Sequence, residues 1–196
     1  EIASCLVGSE MCIRDRWMRF YGLLFGAAPK ADSLFAEVDS CYKRLQHRAM
    51  LSSVSLSVVS ELKSGSAWYV PGGRSTMGRL FNDACGRYVF AEDKHSGSIP
   101  LAFETVFDKA GDADVWIIKY NRDRDMSYSD LKADYIGYTG FKAFKTRNIY
   151  GCNTAKVPFY EETPFRPDYL LADLIQILHP EIGDLGGLRY FCKLNE

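Results

Sequence analysis

The segment "DVWIIKY", Asp114 to Tyr120, constrains the fold more than any other stretch of the chain. It is apolar at nearly every position, so a strand built from it needs cover on both faces, as in a sheet with helices above and below. A helical pattern precedes it in "PLAFETVFDKA", Pro100 to Ala110, with proline near the start and Gly111 just past the end. A broken helical stretch follows from Ser129 to Phe144, then the strand "RNIYGC". Strands separated by helices of this length predict a Rossmann-like three-layer α/β lobe with a largely parallel sheet.

The flanking sequence extends the same alternation. Ser53 to Glu61, "SVSLSVVSE", alternates β-branched and apolar residues with serine and reads as a strand. "KSGS" makes a turn, "AWYV" a second short strand ending before Pro71, and "YVF" (Tyr88 to Phe90) a third. Between the last two, Ser75 stands as an N-cap, with Met77, Leu80, Phe81 and Ala84 at helical spacing and Gly86 closing the helix. Pro167 opens a last helix, "PDYLLADLIQILH", and Pro180 ends it. Upstream, "WMRFYGLLF" (Trp17 to Phe25) reads as the tail of a helix whose beginning is missing. A second helix runs from Pro29 to Gln46, burying Leu34, Phe35, Val38, Tyr42 and Leu45 along one face.

A chain of 196 residues with 47% hydrophobic content can bury one full core. The 24 basic and 25 acidic residues nearly cancel, which argues against a surface that attracts nucleic acid or anionic lipid. No apolar run is long enough to span a bilayer. The opening "EIASCLVGSEMCIRDR", residues 1–16, lacks periodicity, resembles translated sequencing-adapter read-through, and is set aside as a non-native leader. Residues 17–47 then form the truncated helix and its successor, and residues 48–196 the α/β lobe. Outside the leader, Cys41, Cys85, Cys152 and Cys192 lie far apart without C-x-x-C spacing, so they read as small hydrophobes or surface thiols, with no metal site.

The richest candidate site is "WYVPGGRSTMGRLF", a strand end, a glycine turn and a helix start. Gly72 and Gly73 permit close backbone approach, the helix start offers unpaired N–H groups, and Arg74 adds positive charge, features suited to a carboxylate or phosphate. The turn matches neither G-x-G-x-x-G nor the G-x-x-x-x-G-K-[ST] phosphate loop. Trp68 and Tyr69 point to opposite faces of their strand, so at most one reaches a cleft. His95, followed by Ser96, is a loop histidine without a nucleophile elbow, and no acid, base and nucleophile set is discernible. Glu104 sits in the first turn of its helix, where the helix dipole favours a carboxylate.

In order, "WMRFYGLLFG", "WYVPGGRS", "GSIPLAFETVFDKAGDADVWI", "FKAFKTRNIYGCN" and "PFYEETPFRPDYLLADLIQILHPE" resemble the periplasmic substrate-binding proteins of ABC importers for iron complexes and cobalamin. The resemblance implies two α/β lobes joined by one long helix, of which this chain carries the helix end and the C-terminal lobe. It implies a cleft lined by Trp68, Tyr69, Gly72, Gly73 and Arg74, with His95, Ser96 and Ser98 near the same opening. It also implies permease docking through Glu104, where Ala102 replaces the usual capping serine. The ligand would be a ferric siderophore, haem or cobalamin, taken up without catalysis or resident cofactor. The location would be periplasmic, with a lipid anchor open for the full-length protein. The competing expectation is an α/β enzyme that uses the Gly72-Gly73 turn to hold a nucleotide or phosphorylated substrate.

Overall fold

The computed structural model describes residues 10–183 and 185–196, with side chains described from residue 17 onward. Two antiparallel-packed helices lead the chain, α1 (Glu10–Leu24) and α2 (Ala28–Met50), separated at Gly26, whose φ of 66° suits a residue without Cβ. Helix α1 thus begins inside the segment set aside on sequence grounds, and residues 1–9 of that segment lie outside the described residues. Helix α2 buries Ala31, Val38, Tyr42, Leu45 and Ala49, while Leu34, expected inward, is 45% exposed.

A five-stranded sheet forms the centre of the lobe: β1 (Ser57–Ser60), β4 (Arg87–Tyr88), β6 (Val115–Tyr120), β7 (Ile149–Asn153) and β8 (Cys192–Lys193). Its order is β4-β1-β6-β7-β8, parallel throughout except for the antiparallel edge strand β8. Strand β6 occupies the middle and is buried at every residue but Lys119, as its unbroken apolar run demands. A second, antiparallel sheet has the order β2-β3-β5, from β2 (Lys63–Ser64), β3 (Ala67–Pro71) and β5 (Ser98–Leu101). The remaining helices are α3 (Thr76–Asp83), α4 (Phe103–Ala110), α5 (Tyr128–Asp134), α6 (Lys142–Lys145), α7 (Phe159–Glu162) and α8 (Pro167–Leu178), with short 3-10 turns at Ile136–Gly140 and Pro180–Ile182.

Caps behave as the residue types dictate. Ser75 Oγ accepts the Gly78 N–H at the start of α3, and Ser127 with Asp130 forms a reciprocal capping box on α5, each worth about 1 kcal/mol. Helix α4 starts at Phe103, three residues later than expected, because Pro100 and Leu101 pair with Tyr69 and Trp68 across β5 and β3. Ala102 sits at its N-cap and provides no side-chain hydrogen bond. The first strand is trimmed to Ser57–Ser60, and β4 ends at Tyr88 with Val89 and Phe90 in the turn beyond.

The amino end of the sheet is fixed by Asp114. Its carboxylate accepts the Ser57 N–H and hydroxyl at 2.9 and 2.7 Å and Lys142 Nζ at 2.6 Å. Burial alone would raise its pKa, but these donors outweigh burial and hold it at about 2 against an ordinary 3.8.

Candidate functional site

In a parallel α/β sheet, ligands collect outside the carboxyl ends of the strands, so geometry there decides which residues are available. The glycine turn follows β3, and its backbone is already engaged by the loop that leads into β5. Gly72 donates its N–H to Gly97 O at 2.8 Å and Arg74 donates to His95 O at 3.1 Å. A Cβ at Gly72 would collide with the His95 carbonyl, and one at Gly73 with the Ala91 carbonyl. The Ser75 hydroxyl donates to Gly72 O at 2.6 Å and caps α3 itself. Carbonyl oxygens therefore crowd the space where side chains at the two glycines would lie. Their missing side chains serve loop-on-loop packing, which accounts for both glycines without a bound phosphate.

Trp68 is the clearest correction. It was expected as a cleft residue, yet it has no exposed surface, because alternation along β3 turns it inward with Val70. Its ring packs against Trp116, Phe103, Tyr138 and Phe141 at centroid distances of 5.5 to 6.2 Å. Its Nε1–H donates to Ser60 O at 3.0 Å. Tyr69, on the other face, is 49% exposed. Its cross-strand partner Pro100 and the next position, Ser98, are exposed as well, so they line one outward face of the hairpin sheet.

Arg74, His95 and Ser96 are all exposed, in the turn and in the loop that closes over it. His95 is tethered: its N–H donates to Asp93 Oδ1 at 2.8 Å and its Nδ1 lies 3.0 Å from the same oxygen. The His95 N–H is the main reason the Asp93 carboxyl is held below its ordinary range. Tyr69, Ser98 and Pro100 on the strands, and Arg74, His95 and Ser96 on the adjoining turns, thus occupy contiguous chain segments bound to one another by backbone hydrogen bonds.

Glu104 is exposed on the first turn of α4. It stands over an open groove of about 580 Å³ that it shares with Phe103, Phe107, Asp108, Asp112 and Tyr135. A second groove, about 380 Å³, lies on the other side of α4, between Phe90, Asp93, Thr105 and Lys109. Neither groove includes Tyr69, Arg74 or His95.

Two residues missed by sequence reasoning lie at the carboxyl ends of β1 and β6. Glu61 follows β1 with φ of 67°, and Lys119 Nζ donates to its Oε1. The sequence signal was present, since Lys119 is the one charged residue in "VWIIKY". Among the described residues, no group of His, Cys, Asp and Glu side chains is arranged to hold a metal ion.

The fold defines an α/β lobe with a mostly parallel central sheet and an antiparallel hairpin sheet whose outward face and adjoining turns present exposed side chains. Residues 14–155 match the family model described as periplasmic binding protein, well over half of the chain, and the chain belongs to that family. An uncharacterized lipoprotein of Methanocaldococcus jannaschii is 27% identical over 184 residues, covering 93% of this chain and 42% of its own length. A second lipoprotein of that organism is 26% identical, covering 92% of this chain and 46% of its own length. The chain therefore spans less than half the length of these curated relatives. Among solved structures, a periplasmic heme binding protein from Pseudomonas aeruginosa superposes with a TM-score of 0.70 at 15% identity, covering 93% of this chain and 64% of that one. A TroA-like periplasmic binding protein from Veillonella parvula gives 0.70 at 13% identity, with 93% and 61% covered. At these identities the structural matches establish the α/β fold. The family and its lipoprotein relatives give a periplasmic location. Among the described residues no helix is long and apolar enough to cross a membrane.

Proposed function

We propose that this chain is the C-terminal lobe of the substrate-binding component of an ABC importer. It captures an iron complex, a siderophore or haem, or cobalamin, against a second lobe and delivers it unchanged to the membrane permease. The observation that carries the reading is the match of residues 14–155 to the periplasmic binding protein family, on an α/β lobe whose antiparallel hairpin sheet and adjoining turns present exposed side chains. Structural relatives named as heme-binding or as an Fe3+-hydroxamate transport system are consistent with an iron-complex ligand.

In this reading Tyr69, Arg74, His95 and Ser96 face the ligand, while Gly72 and Gly73 hold the turn and loop together behind them. An aromatic ring and a guanidinium suit a bulky chelate with polar arms. Helix α1 exposes Trp17, Phe20, Leu23 and Leu24, and Phe25 just past its end is 76% accessible. Apolar exposure on that scale fits a helix that packs against a second lobe. Glu104 serves as the docking carboxylate for cationic side chains of the permease, an electrostatically steered and salt-sensitive contact. In the full-length protein a lipid anchor would tether the assembly to the membrane.

The test is equilibrium binding by the full-length protein to ferric siderophores, haemin and cobalamin. Saturable binding with the chelate recovered intact supports the proposal, and failure with all three classes refutes it. The enzyme alternative, built on the Gly72-Gly73 turn, has less support, because packing against carbonyl groups of their own chain accounts for both glycines without a phosphate.

A further inference from the structure

The corner where β1 ends carries an inference that rests on the binding-protein reading and extends it to a residue and a ligand chemistry. The chain steps from β1 to β4 on one side of the sheet and then crosses back to β6 on the other. The carboxyl ends of β1 and β6 are therefore the topological switch point, the place where open α/β sheets as a rule bind ligands. Glu61 and Lys119 stand there.

Glu61 adopts a left-handed conformation that residues with a Cβ rarely take, and its surroundings hold it in place. Its N–H donates to Ile117 O at 2.9 Å and its carbonyl accepts Trp116 Nε1–H at 2.9 Å. The preceding carbonyl, of Ser60, accepts Trp68 Nε1–H at 3.0 Å. The two indoles pack 5.5 Å apart and donate to consecutive carbonyls, so the backbone, independent of any ion pair, fixes where the Glu61 side chain starts. Lys119 meets that carboxylate, with its Nζ 5.8 Å from the centre of the Phe159 ring. Both side chains keep some accessible surface, 17% for Lys119 and 21% for Glu61. An ammonium group has three N–H donors, and Glu61 accepts one of them. The pair makes a partly buried cation tolerable without using up its capacity to donate.

We infer that Lys119, oriented by Glu61, binds a carboxylate arm of the captured chelate at the switch point of the sheet. The ligand class is thereby narrowed to acidic chelates. Charge-assisted hydrogen bonding to the arm sets affinity, and Glu61 acts as a positioning residue that keeps the ammonium from collapsing elsewhere.

The experiment compares four probes on the full-length protein by equilibrium titration: haemin, haemin dimethyl ester, ferric citrate and an uncharged ferric trihydroxamate. The wild type should bind haemin or ferric citrate, and Lys119→Met should weaken that binding by about 10- to 100-fold. Lys119→Arg should retain most of it, and affinity for the ester should be the same in wild type and Lys119→Met. Unchanged affinity of Lys119→Met for the acidic probe would overturn the inference, as would wild-type binding of only the trihydroxamate. If Lys119→Met does not fold, haemin against its ester on the wild type decides alone, with weaker binding of the ester expected and equal binding contradicting. Wild-type protein that binds none of the four strikes the binding-protein reading instead.

Discussion

The glycine turn after β3 and the corner after β1 both lie at strand ends, yet they use their backbones in opposite ways. At the turn, Gly72 and Gly73 let two loops of the same chain touch, and the N–H groups of Gly72 and Arg74 are consumed by the carbonyls of Gly97 and His95. At the corner, a residue with a full side chain takes the conformation that favours glycine, and two tryptophans hold its carbonyl and that of the preceding Ser60 while its carboxylate meets Lys119. Glycine thus marks where the chain approaches itself, and a left-handed glutamate marks where a side chain is being aimed.

Trp68→Ala should have the largest effect, because it removes the ring at the centre of the aromatic cluster and leaves the Ser60 carbonyl without its donor. A loss of about 3–5 kcal/mol in equilibrium denaturation is expected. A loss under about 1 kcal/mol would mean that the indole does not join hairpin to corner. Gly73→Ala comes next, at about 1–3 kcal/mol, since its new Cβ meets the Ala91 carbonyl. If stability held while ligand affinity vanished, the turn would be a ligand cradle after all.

Asp114 supplies the pH arm of the comparison. Its folded-state pKa of about 2 lies below the ordinary 3.8, so its contribution to stability is complete above the ordinary value and disappears as pH falls through about 2. Asp114→Asn should be less stable near neutral pH and should flatten the acid limb of a stability-against-pH curve in that window. An unchanged limb would place the acid sensitivity in other carboxylates. Tyr69→Ala should shift stability by less than about 0.5 kcal/mol, as an exposed neighbour of Trp68, while reducing chelate affinity. Glu104→Arg should leave both stability and affinity unchanged and impair uptake, and lost ligand binding with docking intact would reverse its assigned role.

The apolar run of β6, the serine cap of α3 and the proline-opened α8 were legible because each depends on residues within a few positions of itself. The layered α/β class followed from their alternation. Strand β8 was not legible: it has two residues, and its pairing with Tyr150 and Gly151 is set by long-range register. The start of α4 was misread because Pro100 suits both a helix opening and an edge strand, and pairing with Tyr69 decides it. Trp68 and Tyr69 could be told to face opposite ways, but not which way, since that depends on where the hairpin lies relative to Trp116. The Glu61 conformation has no local signature, because tertiary hydrogen bonds from distant tryptophans maintain it.

The central claim is capture without chemistry, and direct titration of the full-length protein with ferric siderophore, haemin and cobalamin tests it best, followed by release and analysis of the ligand. The account predicts one-site saturation by at least one of these and recovery of the same molecule. No saturable binding to any of them, or recovery of a chemically altered product, would contradict it.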